Sequence, residues 1–170
     1  MQKLYTRLAV VLALFAGVVA AGAQQMQPYT STDGRFTVNF PQGEVKQGSQ
    51  TVTLQRGDAT TVHQFLLAQS DGASYLVMYN DYPAAYVTGD PQTELAAARD
   101  GVTNGKTLLL DTMIGLNGVP GREFTAKDDN RNYTVRQYLQ GQRLYQLIVV
   151  SNSSSPAAQI SDFMTSFKIQ

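Results

Sequence analysis

The apolar positions of this chain fall into three kinds of pattern: one unbroken run, several period-two alternations and two helical stripes. The run spans residues 8–20 and is nearly free of polar side chains. Phe36, Val38 and Phe40 then alternate with Arg35, Thr37 and Asn39, the signature of a half-buried strand opened by the turn Asp33-Gly34 and closed by Pro41 and Gly43. Val52 and Leu54 alternate with threonines in a second short strand, before the turn Arg56-Gly57-Asp58. Residues 60–69 and 74–82 read as a third and fourth strand, joined at the hairpin signal Asp71-Gly72. A helix follows: Asp90 caps it, Pro91 suits its first position, Leu95, Ala98 and Val102 form its stripe, and Asn104-Gly105 stops it. Strands are predicted over 108–116, 122–127, 133–140 and 143–151, the last two joined by the two-residue hairpin Gly141-Gln142. Ser155 and Pro156 open a second helix, whose Ile160, Phe163, Met164 and Phe167 stand at i, i+3, i+4 and i+7. Residues 168–170 extend beyond it.

In the last hairpin Leu144, Ile148 and Val150 point one way, and Tyr145, Leu147 and Val149 the other. A strand apolar on both faces needs cover on both faces. The expected fold class is therefore α+β: one mainly antiparallel sheet flanked by helices, one on each face.

The initial run changes the picture of where the protein works. Lys3 and Arg7 precede it, and the small residues Ala21-Gly22-Ala23 follow. That is the layout of an export signal, too short to span a bilayer comfortably. Residues 1–23 are read as a signal peptide cleaved after Ala23, residues 24–32 as an N-terminal tail, and residues 33–170 as a single domain. The expected location is periplasmic or secreted, with no stable membrane insertion after cleavage.

Charge narrows the partners. Without Lys3 and Arg7, the 13 basic residues fall to 11 against 13 acidic ones, a net charge of −2 with no basic cluster. Nucleic acid is not an expected partner. There is no cysteine, so the fold must be held by its core, and thiol chemistry and a lipid-modified cysteine are both excluded.

Candidate chemistry is thin. His63 is the sole histidine, lies in a strand pattern and has no G-x-S-x-G elbow to serve, which also removes any site needing two imidazoles. Asp128, Asn130 and Asn132 match the start of a calcium loop, but Tyr133 stands where glycine is needed and Leu139 where a bidentate glutamate is needed, so they read as a polar turn. Gly115, Gly118 and Gly121 precede a strand rather than a helix and read as a tight turn needing positive φ, not a phosphate cradle. Asp81, Asp90, Asp111 and Glu123 have no spacing that pairs them for glycoside hydrolysis. No catalytic residue, metal ligand or cofactor is expected. Tyrosine is the enriched aromatic, and Tyr75, Val77, Tyr79 and Asp81 share a strand face. Tyrosine joins apolar area to a polar tip, which favours interfaces. Tyr75, Tyr79, Tyr82, Tyr133 and Tyr145, with Arg122 as an anion partner, form the candidate recognition surface for a protein or small-molecule ligand.

The opening strand Asp33-Gly34-Arg35-Phe36-Thr37-Val38-Asn39-Phe40-Pro41, the mid-chain helix, the long hairpin and the closing Phe163-Met164-Thr165-Ser166-Phe167-Lys168-Ile169 resemble the PsbP-like superfamily, which includes PsbP and DcrB-type exported proteins. The segment Gly118-Val119-Pro120-Gly121-Arg122-Glu123-Phe124 likewise resembles one found in exported bacterial proteins. The resemblance implies an α/β/α sandwich and a non-enzymatic accessory or binding role. It supplies no functional residues. The competing expectation is an exported hydrolase whose active site the sequence does not reveal, with His63 or one of the carboxylates as its test.

Overall fold

A computed structural model describes residues 25–54, 57–87, 89–152 and 155–170. The leader expected over 1–23 and its expected cleavage site lie outside the described residues, as does Arg56 of the 56–58 turn. Ten strands and two helices follow in the order β1 (Met26–Ser31), β2 (Phe36–Pro41), β3 (Lys46–Thr53), β4 (Ala59–Ala68), β5 (Ser74–Asp81), α1 (Pro91–Thr103), β6 (Thr107–Leu116), β7 (Val119–Lys127), β8 (Asn132–Gln140), β9 (Arg143–Ser151), α2 (Ala157–Ser166) and β10 (Lys168–Ile169). A 3₁₀ turn, Ala84–Tyr86, lies between β5 and α1.

Seven strands form one antiparallel sheet in the order β3-β4-β5-β9-β8-β7-β6. The hairpin turns follow the sequence signals. Gly72 and Gly141 take positive φ, and Asn117-Gly118 joins β6 to β7 with both residues at positive φ. Gly121 does not take positive φ. It lies inside β7, where a Cβ would come within 2.6 Å of the Gln137 carbonyl oxygen and of the Tyr138 ring. Glycine is needed there for close approach, not for the turn the sequence pattern assigned to it.

Residues 26–31, read from sequence as part of a tail, are strand β1. It pairs with β2, and β10 pairs with β2 on the other side, giving a second sheet of order β1-β2-β10. This small sheet and α2 cover one face of the large sheet. Phe36, Val38 and Phe40 of β2 and Phe163, Met164 and Phe167 at α2 meet Tyr75, Val77, Tyr145, Leu147 and Val149 in the main core. Burying apolar area of this extent is the dominant stabilising term, about 25 cal/mol per Å².

The opposite face carries α1. The Asp90 carboxylate caps it by accepting the Gln92 N–H at 3.0 Å, and Pro91 is its first residue. Leu95 of α1 packs with Leu139 and Leu144, and Phe124, Val135 and Ile148 bury beside Val102. The flanking is uneven. Helix α1 packs on β6, β7 and β8, and Val52 and Leu66 on the outer strands of that face remain exposed. The sequence pattern also expected Ser155 to cap α2. The N-cap is Pro156 without a side-chain bond, and Ser155 Oγ instead faces Asn152.

Candidate functional site

The tyrosines do not share one open surface. Tyr75 and Tyr145 are 0 % exposed and Tyr79 is 5 % exposed, all inside the main core. Tyr75 donates its hydroxyl to Gln159 Oε1 at 2.9 Å, and its ring meets Phe163 edge-on. Burial, aided by Asp71, pushes its pKa up to about 12. Tyr145 donates to the Gly34 carbonyl at 2.9 Å. Burial likewise raises its pKa and that of Tyr79. Tyr82 and Tyr133 are half-buried on the α1 side, against different clusters. Tyr82 is raised by burial, whereas Tyr133 is raised chiefly by the Asp128 carboxylate to which it donates at 2.7 Å. Arg122 is held by Asp111, which also binds Arg99. Period two correctly placed Tyr75, Val77 and Tyr79 on one face, but that face is covered by β2 and α2, so the expected recognition surface does not assemble.

What remains open is a cleft of about 440 Å³ between the two layers. The small sheet contributes Tyr29 and Thr30 of β1 and the turn after them. The large sheet contributes Gln47 and Ser49 of β3, His63 of β4 and the floor residue Tyr79 of β5. Ser49 and His63 are register partners, as are His63 and Tyr79, so their side chains share the cleft face. The His63 imidazole stacks on Tyr79 with ring centroids 4.6 Å apart and planes inclined by 14°. Strand β3 is exposed along its whole length.

The turn that rims the cleft is tied to its floor. Ser31 Oγ accepts the Gly34 N–H at 3.1 Å, and Arg35 takes positive φ (52°) to turn the chain into β2. A Cβ on Gly34 would come within 2.6 Å of the Phe36 ring. Arg143 donates to the Asp33 carbonyl at 2.9 Å, grips Asp81 through two nitrogens at 2.6 Å each, and lies 4.7 Å over the Tyr79 ring. That grip holds the Asp81 carboxyl below its ordinary range. The other carboxylates are engaged in separate places: Asp90 at the α1 cap, Asp111 between Arg99 and Arg122, and Glu123 against Arg136. Asp128 spends both oxygens on its own turn, accepting from the Asn130 and Arg131 amides and from Tyr133. Among the described residues, no cluster of three His, Cys, Asp or Glu could hold a metal ion.

A second recess, of about 400 Å³, lies beneath α1. Tyr82, Tyr86 and Leu144 face Ala97, Ala98 and Gly101 across it. The sequence singled out His63 and Tyr79 of the first recess and Tyr82 of the second, but not the recesses themselves, because residues 26–31 and 46–51 carry no apolar alternation.

An antiparallel sheet backed by a small sheet and one helix, with a second helix on its other face, defines the PsbP-like fold, and this chain has it. The solution structure of cyanobacterial PsbP (CyanoP) from Synechocystis sp. PCC 6803 superimposes with a TM-score of 0.56 at 11 % identity, covering 89 % of this chain and 96 % of that one. A crystal structure from Bacteroides thetaiotaomicron VPI-5482 matches with a TM-score of 0.47 at 11 % identity, over 86 % of this chain and 49 % of that one. No family model matches the sequence, and no curated protein matches it.

Proposed function

We propose that this chain is an exported, non-catalytic accessory or binding module that takes its ligand in the interlayer cleft. The observation that carries the reading is the cleft itself: an opening between two layers, rimmed by a turn that Tyr145 and Arg143 anchor to its floor. Such a rim is rigid before any ligand arrives, which lowers the ordering cost of binding. The PsbP-like fold and the 1–23 leader support an accessory role outside the cytoplasm. The carboxylates are dispersed and engaged, and among the described residues no hydrogen bond joins His63 to Ser49 or to a carboxylate. A base without an orienting partner is a poor start for nucleophilic catalysis.

Two measurements test this. Fractionation of a bacterial host, followed by mass analysis, is expected to find the chain beginning at Gln24 outside the cytoplasm. Uncleaved chain confined to the cytosol refutes export. The dialysable fraction of an envelope extract is expected to raise the melting temperature by mass action, and Ser49→Leu, which fills the cleft from an exposed strand, is expected to abolish the rise. A hydrolase would instead turn over ester, amide or glycoside substrates and lose that activity on His63→Ala.

A further inference from the structure

We infer that the cleft takes a neutral saccharide, an inference that rests on the cleft being the ligand site. The chemistry of its walls selects this class by exclusion and by fit. Anions are unsupported, because the nearby guanidinium of Arg143 is already spent on Asp81 and the Asp33 carbonyl. A purely apolar ligand would meet the polar side chains of Ser49, Gln47 and His63 along the large-sheet wall and leave the Ser49 hydroxyl without a partner from the ligand.

At the β1 edge an added peptide strand is opposed by β1 itself, and a triglycine titration covers the free edge of β3. Pro28 has no N–H, and its register partner Asn39 sends its own N–H to Ser166 Oγ at 2.8 Å rather than across the ladder. The pair is therefore a non-bonded site, and the missing donor falls on the outer rim of β1, where an incoming strand would need it.

What fits is a ligand with many hydroxyls and one apolar C–H face. The Ser49 and Gln47 side chains, with Asp33 at the rim, meet the hydroxyls. The part of the Tyr29 ring left open by its contacts with Phe36, Phe40 and Phe65 meets the C–H face, and its hydroxyl is hydrogen-bonded to Gln47. The cleft volume of about 440 Å³ lies within the range of small-ligand pockets.

The sole histidine gives the test a unique reporter, since its ring protons appear once in the spectrum. The protein is titrated at fixed pH with maltose and with N,N′-diacetylchitobiose, and separately with inorganic phosphate and with triglycine. A saturable shift of the His63 ring signals by a disaccharide is expected. It is expected to vanish in Ser49→Leu and in Gln47→Leu, whose side chains point into the cleft, and to survive in Gln50→Leu, on the opposite face of the same exposed strand. A shift that persists in both cleft variants, or no shift with either sugar, overturns the inference. If phosphate or triglycine moves His63 and the sugars do not, the saccharide falls but the cleft stands as a binding site. If nothing moves His63 and the envelope extract leaves the melting temperature unchanged, both fall.

Discussion

Replacing Gly121 by alanine isolates one consequence of the sheet's packing. The added methyl carbon would lie 2.6 Å from the Gln137 carbonyl oxygen and 2.6 Å from Tyr138 Cδ1. Ordinary C···O contacts begin near ~3.3 Å, so something must move by roughly 0.7 Å. Neither neighbour yields easily. The oxygen belongs to the backbone of β8, which is paired on both sides, and the Tyr138 ring is stacked on Phe167. Overpacking of this kind costs about 1–3 kcal/mol, and loss of glycine's unfolded-state freedom returns about 0.4–1 kcal/mol. The expected net loss is about 1.3 kcal/mol. For a domain of this size that lowers the melting temperature by roughly 4 °C. Gly101→Ala is the matched control: Gly101 lies inside α1 with nothing within 4 Å of its would-be Cβ. It is expected to gain about 0.5–1 kcal/mol. Thermal unfolding followed by circular dichroism reads both. If Gly121→Ala melts above the parent, as Gly101→Ala is expected to, the steric reasoning fails, because only the unfolded-state term would then be acting.

Leu95→Ala removes the fully buried anchor of α1 and is expected to cost about 2–4 kcal/mol, read as a lower urea midpoint. Tyr145→Phe leaves the Gly34 carbonyl without its buried donor and is expected to cost about 1–2 kcal/mol in the same assay. Asp81 has a folded pKa below its unfolded value because Arg143 donates to it. Its contribution is therefore present above the unfolded pKa near ~4 and fades as pH falls through the folded value. Asp81→Asn should flatten that acid limb only modestly, because the Asp81 side chain is 55 % exposed. Ultraviolet titration of Tyr75→Phe should match the parent until about pH 12, where the parent alone gains one more tyrosinate.

Much of the fold was legible because its strongest signals are local. Asp90 and Pro91 started α1 where the pattern put them, the stripe through Phe163 and Met164 buried as expected, and Gly141-Gln142 turned the last hairpin. Strands β1 and β3 were harder. Met26 and Tyr29 are the only large apolar residues of β1, interrupted by Pro28, and no alternation survives. Strand β3 is a fully exposed edge held by its ladder to β4, so it needs no apolar side to exist. The site was harder still. Period two tells which residues share a face, but not what lies over it. Tyr75 and Tyr145 therefore read equally well as an interface or as core, and their cover comes from residues 36–40 and 163–167, distant in sequence.

That distance governs the order in which the protein can fold. The main core closes only when the opening strands meet the final helix, a junction marked by the bond from Asn39 N–H to Ser166 Oγ across 127 residues. Loop closure over such a span must precede any reward from the aromatic cluster, so the rate should be limited by this late meeting. A chain emerging in synthesis order holds a sheet with one side only partly covered, by β1 and β2, until α2 and β10 arrive. It stays vulnerable to aggregation until that last segment is in place.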